Sequence, residues 1–231
     1  MRRSHVNALI TDAQEFCDLM NFRLPPFAFW SPENWARKGH EFDEVRQAKL
    51  GWDITDYGMG APEKVGLSLF TLRNGIPGAV DNPKTYCEKL LLVGENQVTP
   101  CHYHWSKTED IICRGGGNLI CQVWNAAEDD SLADTPVTVN VDGHVYQVPA
   151  GYEIRLVPGE GITLPAKQYH EFWAEPGTGM SLVIEVSKVN DDEKDNNFYP
   201  MPGRPPVGRF GAIEEDEPPL HYLCNEYPKA G

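Results

Sequence analysis

Beyond about Leu50 the chain becomes a succession of short apolar or β-branched stretches cut by turn residues, and that rhythm constrains its fold most. VGLSLFTL, KLLLVGENQVTPCHYH, NLICQVWNA, TPVTVNVDGHVYQV, YEIRLVP and SLVIEVSKV alternate with RNGIPG, SKTED, PGEG and EPGTG. Strands at such regular spacing, set off by Gly, Pro, Asn and Asp, predict a mainly β chain: an antiparallel sandwich or barrel. The clearest hairpin is Val141-Asp142-Gly143-His144, because Asp-Gly supplies the positive φ values that a tight type I′ turn requires.

Ahead of the strands the pattern is helical. Val6, Leu9, Ile10, Ala13, Phe16, Cys17 and Met20 recur three or four apart, which predicts one helix from about Ser4 to Met20. Ser31 before Pro32 predicts a second, short helix that stops near Gly39. After Asn190 the chain is acidic and proline-rich, yet Phe198, Tyr199, Phe210, Tyr222 and Tyr227 give it anchors to pack on the barrel or on a neighbouring subunit. With no internal repeat and no clean linker, one domain is expected: a helical segment over 1–50, a barrel over 51–190 and a docked tail over 191–231.

A formal net charge of −14 argues against nucleic acid or an anionic membrane as partner, since both need a basic face. No stretch of about 18 apolar residues is present, so no membrane-spanning helix is expected. The first residues start basic, but Asp12, Glu15 and Asp18 interrupt the apolar stretch that a secretion signal would need. Six cysteines without a CxxC pair read as reduced, buried residues of a cytoplasmic protein, and give no zinc-finger spacing.

The chemistry concentrates in PCHYHWSKTE, residues 100–109. Residues two apart on a strand share a face, so His102 and His104 point the same way. Glu109 follows after a turn, and a distant third imidazole, His170, sits just past a proline-led turn. Three imidazoles and a carboxylate suit Mn²⁺, Fe²⁺, Ni²⁺ or Zn²⁺. In an octahedral sphere they leave two positions for water or for two substrate oxygens, which suits Lewis-acid catalysis.

These residues resemble the two motifs of the cupin superfamily. His102, His104, Glu109 and Gly116 match the first, while Gly159, Pro165 and His170 match the second, with Lys167 where the inner glycine would stand. Gly94 is only a loose counterpart of the first motif's leading glycine, and Ala174 replaces an asparagine often found after the last histidine. The stretches RSHVNALI, CHYHWSKTEDIICRGGGNL, LPAKQYHEFWAE, EVSKVNDDEKDNNFY and RFGAIEEDEPPLHYLCNEY are similar to the D-lyxose isomerase family of cupins. That resemblance implies a cupin-type antiparallel β-barrel (double-stranded β-helix or jelly roll) with N-terminal helices. It also implies a divalent metal, commonly manganese, and interconversion of D-lyxose with D-xylulose, often with D-mannose and D-fructose as a second pair. The expected partner is thus a small sugar, and barrel edges make a homodimer or higher homo-oligomer the expected assembly.

Moving a proton between C2 and C1 of a sugar calls for a base or an electrostatic helper near the metal, whereas the alternative, a metal-assisted hydride shift, needs no base. Lys107 lies inside the first motif; Glu185 interrupts the apolar run SLVIEVS; Glu214 and Glu215 lie in a tail that can fold over the barrel mouth as a lid. Each has a bland counterpart: a solvated turn lysine, an outward-facing edge-strand glutamate, an exposed acidic run. Arg155 and Arg209 read equally as sugar binders or as salt-bridge partners, and Trp105, Trp124 and Trp173 as sugar platforms or barrel core. His5 is unassigned, His144 is placed at the hairpin turn, and His40 and His221 are taken as structural. Two rival functions share the same motifs: a cupin Fe(II) oxygenase and a non-catalytic sugar-binding or seed-storage-like cupin.

Overall fold

The computed structural model describes residues 1–80, 82–191, 194–201, 207 and 212–231. Three short helices lead the chain: α1 (Arg3–Leu19), α2 (Pro32–Trp35) and α3 (Asp43–Gln47). In α1, Val6, Ile10, Ala13 and Cys17 form the buried stripe that their spacing predicted. Ser31 caps α2 by a reciprocal pair of hydrogen bonds with Asn34, and α2 ends at Trp35, short of Gly39.

Fourteen strands follow among the described residues, in two antiparallel sheets. The first eight in order are β1 (Gly51–Thr55), β2 (Leu67–Arg73), β3 (Tyr86–Val93), β4 (Thr99–His104), β5 (Glu109–Gly116), β6 (Leu119–Ala126), β7 (Leu132–Ala133) and β8 (Val137–Val141). Then come β9 (His144–Val148), β10 (Tyr152–Leu156), β11 (Gly161–Leu164), β12 (Gln168–Ala174), β13 (Ser181–Lys188) and β14 (Asn196–Phe198). One sheet runs β1-β2-β3-β13-β5-β11-β8-β9, and the other β10-β6-β12-β4-β14, with β7 beside β6. This is the cupin-type antiparallel barrel that the motifs implied. The β8–β9 hairpin turns at Asp142 (φ 50°) and Gly143 (φ 86°), both left-handed, as a type I′ turn demands.

Side chains from both sheets meet in one core that includes Leu91, Val93, Ile111, Cys121, Val123, Ile162, Phe172 and Val183. A second core lies on the other face of the larger sheet. There Leu90, Leu92, Leu182 and Ile184 pack with Trp52 and Phe70 against Val6, Ile10 and Cys17 of α1. Strands β3 and β13 are therefore buried on both faces. Successive residues alternate between the barrel interior and the helix layer, which is why SLVIEVS reads as one nearly unbroken apolar run.

The described part of the tail packs back on this helical layer. Tyr227 stacks on Trp35 at 4.0 Å and donates to the Leu50 carbonyl at 2.8 Å, and Asn7 donates to Glu217 and to the Pro218 carbonyl. Arg3, only 3% exposed, is held by Glu215 and Glu226. Phe198 joins the barrel core and Tyr199 a smaller cluster with Tyr103 and Tyr169, while Phe210 and Arg209 lie outside the described residues. Since Ile10 is fully buried against the sheet, Ile10→Ala is expected to cost about 2–5 kcal/mol in urea unfolding, as for other large-to-small core changes. A loss of a few tenths would mean that α1 is a detachable appendage.

Candidate metal centre and active site

Strands β4 and β12 are hydrogen-bonded neighbours, with His102 directly opposite His170. This register joins two motifs that are far apart in sequence. His102 and His104 occupy one face of β4, and Tyr103 between them packs on the other side against Trp124 and Tyr169. The turn after β4 then carries the chain from the smaller sheet to the larger, where Glu109 opens β5. One ligand atom from each of His102, His104, Glu109 and His170 falls within 4.8 Å of all the others, and all four residues are buried.

The imidazoles are oriented by backbone carbonyls. Nδ1 of His102 lies 2.8 Å from Pro100 O, that of His170 3.0 Å from Gln168 O, and that of His104 3.3 Å from Asp195 O. Those acceptors assign the proton to Nδ1 and leave each Nε2 lone pair for a ligand. Burial, reinforced by the neighbouring His170 and His104, pushes His102 well below the usual histidine range, so it stays neutral. His104 Nε2 lies 3.2 Å from one Glu109 oxygen and His170 Nε2 3.0 Å from the other. The His170 contact is close in distance but lacks hydrogen-bond alignment, and its Nε2 has no hydrogen-bond partner among the described residues. Acceptor atoms crowded together in a dry site are costly by themselves. A divalent cation would satisfy them at once, so the four residues fit a metal by their chemistry as well as their placement.

A line of charge runs outward from Glu109. Lys107 Nζ sits 2.8 Å from Glu109 Oε2 and 2.7 Å from Glu185 Oε1, and Lys89 Nζ lies 3.7 Å from Glu185 Oε2. All four side chains are buried. Burial opposes ionisation of Glu109, but the Lys107 ammonium beside it outweighs that and holds the carboxyl well below its usual range. Glu185 behaves likewise: desolvation pushes its pKa up, Lys107 and Lys89 push harder the other way, and it stays ionised. For Lys107 the desolvation that would neutralise it is outweighed by Glu109 and Glu185, so it stays charged.

These groups border a cavity of about 400 Å³, within the range of small-ligand sites. Its wall joins His102, His104, Glu109, Lys107, Glu185 and Lys89 to an apolar portion that includes Leu67, Leu91, Phe172 and Phe198. Thr99 also belongs to the wall. A β-bulge between the Phe172–Thr99 and His170–His102 pairs breaks the alternation of β4 there, and the buried Thr99 hydroxyl has no partner among the described residues.

Lys107 and Glu185 thus stand beside the ligand set. Glu185 is on β13, between β3 and β5, and not on an edge strand. Glu214 and Glu215 lie elsewhere: Glu214 pairs with Arg2 at 3.4 Å and Glu215 with Arg3 at 2.6 Å, so the acidic run clamps the tail to α1 and does not border this cavity. Arg155 is engaged by Glu175 at 2.8 Å. Trp105 is 40% exposed, with the Lys167 ammonium 5.1 Å from its ring, and neither it, Trp124 nor Trp173 borders the cavity. His40 meets Asp43, and His221 contacts Gln14 and the Trp30 carbonyl. Lys167 adopts φ 62°, the left-handed conformation that a glycine would take more easily, and its amide donates to His104 O at 2.9 Å. Sequence reasoning missed Lys89 and Asp195. A lysine leading the apolar run LLLV was the available signal for the first.

The family model described as D-lyxose isomerase matches residues 1–227. The chain belongs to the D-lyxose isomerase family. It is 46% identical over 228 residues to the D-lyxose/D-mannose isomerase of Escherichia coli O157:H7, and 48% identical over 228 residues to that of Serratia proteamaculans. Each match spans 98% of this chain and 98% of the relative. Among solved structures, the L-ribose isomerase of Cellulomonas parahominis with L-psicose is similar in fold, with a TM-score of 0.52 at 16% identity over 86% of this chain and 92% of that one. Family membership makes this chain an aldose–ketose isomerase and removes the main reason to prefer an oxygenase or a storage cupin.

If the four residues form one centre, losing any of them is felt in metal content. His104→Ala and Glu109→Gln are each expected to weaken divalent-metal binding by more than the ~10–100-fold that a supporting partner is worth. Elemental analysis after dialysis checks this, and parent-like stoichiometry in either variant would dissolve the centre.

Proposed function

We propose that the protein interconverts D-lyxose and D-xylulose, with D-mannose and D-fructose as a second pair, at a divalent-metal centre formed by His102, His104, Glu109 and His170. The observation that carries this reading is the meeting, at one cavity, of His102, His104 and Glu109 of the buried ligand set with a buried lysine–glutamate pair. The sugars come from the names of the two relatives at 46% and 48% identity. Manganese is the proposed ion, as the family resemblance implies. A divalent ion held by these four residues would supply Lewis acidity, stabilising negative charge that develops on the sugar oxygens and so acidifying the C2 proton.

The chain's own residues supply the rest. Glu185, kept ionised by its two lysines, takes the proton from C2 and returns it to C1 as the hydroxyl proton moves from O2 to O1. Lys107 holds a positive charge where the sugar oxygens gain electron density, and can donate to either of them. The apolar part of the wall excludes water around this exchange. Thr99, whose hydroxyl has no partner among the described residues, offers one hydrogen bond to a sugar hydroxyl. Glu214 and Glu215 take no part, being engaged with Arg2 and Arg3. A homodimer in the cytoplasm is the setting in which we place the enzyme, and its free cysteines, five of them buried, support a reducing compartment.

Incubation with D-lyxose under argon separates this reading from its rivals. Ketose is expected to form without oxygen, to stop when EDTA strips the metal, and to resume on adding Mn²⁺. Strict dependence on oxygen would sink the proposal. Glu185→Gln is expected to keep its metal while kcat falls by about 10²–10⁴, the usual worth of a positioned acid–base group. Solvent deuterium should appear at C1 of the ketose made by the parent. Full activity in Glu185→Gln with no solvent deuterium in product would point to a hydride shift instead.

A further inference from the structure

Both halves of the centre depend on the turn over residues 105–108. It joins β4, which carries His102 and His104, to β5, which begins at Glu109, and it carries Lys107 itself. The turn contains no regular ladder of its own, so its amide groups must find partners elsewhere. Nearly all of those partners belong to one residue of the tail.

Asp195 Oδ1 accepts from the Ser106 amide at 2.8 Å and from the Ser106 hydroxyl at 2.9 Å, and Oδ2 accepts from the Lys107 amide at 3.1 Å. Its backbone carbonyl accepts from the Trp105 amide at 3.1 Å and from His104 Nδ1 at 3.3 Å. Four consecutive residues of the first motif are thus gripped by a single aspartate. The grip is itself anchored: the Asp195 amide donates to Asp191 O at 3.0 Å, and the next residues form β14, pairing Asn196 with His104 and Phe198 with His102. Phe198 then lies 5.3 Å, ring to ring, from His102.

We propose that Asp195 is a positioning residue for this centre: by holding His104 through Lys107 it fixes the Lys107 ammonium between Glu109 and Glu185 and sets the ligating face of His104. The inference rests on the metal reading above and adds a determinant that lies outside both histidine motifs. Without the Asp195 carboxylate the Ser106 and Lys107 amides lose their acceptor, the turn relaxes, and Lys107 and Glu109 no longer share one fixed geometry. Metal retention should therefore suffer before the fold does.

Asp216 provides a matched control. It accepts from the Ser4 amide at 2.9 Å and the Ser4 hydroxyl at 2.6 Å, the same pattern as Asp195 with Ser106, but at the start of α1. Parent, Asp195→Ala, Asp195→Asn and Asp216→Ala would be compared for Mn²⁺ affinity and release rate against a chromogenic chelator, and for kcat and KM on D-lyxose at saturating Mn²⁺. Asp195→Ala is expected to bind Mn²⁺ about 10–100-fold more weakly, the worth of a supporting partner of a metal ligand, and to release it faster. Its kcat should stay below the parent's even when metal is saturating. Asp195→Asn, which keeps one acceptor oxygen, should fall between, and it carries the test if Asp195→Ala does not fold. Asp216→Ala should match the parent in Mn²⁺ affinity whatever it does to the melting temperature. Parent-like affinity and release in folded Asp195→Ala or Asp195→Asn would overturn the positioning role alone, whereas a parent that binds no Mn²⁺ would overturn the metal centre and this inference with it.

Discussion

The structure turns on the burial of Glu109 as an anion. A carboxylate with almost no solvent is tolerable only if cations and donors surround it, and removing one partner costs more than the pair is worth. Lys107 supplies the first compensation, Glu185 balances Lys107, and Lys89 balances Glu185. This chain of alternating charge dictates which strands must be neighbours. Lys89 and Glu185 face each other directly across β3 and β13, and Ser187 of β13 pairs with Glu109 of β5. The order β3-β13-β5 brings the four charges together, and the same order would be hard to reach with any of them unpaired.

The two sheets divide the labour. Glu109, Glu185 and Lys89 belong to the larger sheet, whereas His102, His104 and His170 belong to the smaller one. The cavity lies between the charged side chains of the larger sheet and the imidazoles of His102 and His104 on the smaller one. Only the turn carrying Lys107 crosses directly from the His-x-His strand to the glutamate strand, which explains why that turn is pinned so densely. A site split between two sheets keeps its geometry only while the sheets keep theirs, and the shared apolar core between them provides that constraint.

Much of this was legible in the sequence because it follows from local rules. The period of two put His102 and His104 on one face, Asp142-Gly143 specified its turn, and the three-and-four spacing of Val6, Ile10, Ala13 and Cys17 marked the docked face of α1. What escaped notice depends on pairings between distant segments. Lys89 looks like an ordinary strand-edge lysine until β13 is placed beside β3, and Asp195 looks like one more acid in an acidic stretch until β14 is laid on β4. Glu214 and Glu215 depend on a distant pairing too: their acidic run suggested a lid or a solvated face, and the structure pairs them with Arg2 and Arg3 at the other end of the chain. Glu185 lay between these cases, since its place in an apolar run announced something unusual without saying whether the carboxylate faced solvent or the cavity.

The alternation of β13 answers that question and ties the helical layer to catalysis. Leu182 and Ile184 pack beneath α1, while Val183 and Glu185 face the barrel interior. A slip of one residue would exchange the two sets, placing the Glu185 carboxylate against Val6 and Ile10 and withdrawing it from Lys107 and Lys89. Both consequences are unfavourable: an unpaired charge in an apolar layer, and two lysines buried without their partner. The hydrophobic face of α1 and the ion pairs of the cavity therefore enforce the same register from opposite sides of one strand. The N-terminal helix reaches no substrate, yet its packing helps decide that the carboxylate proposed as the base points into the cavity.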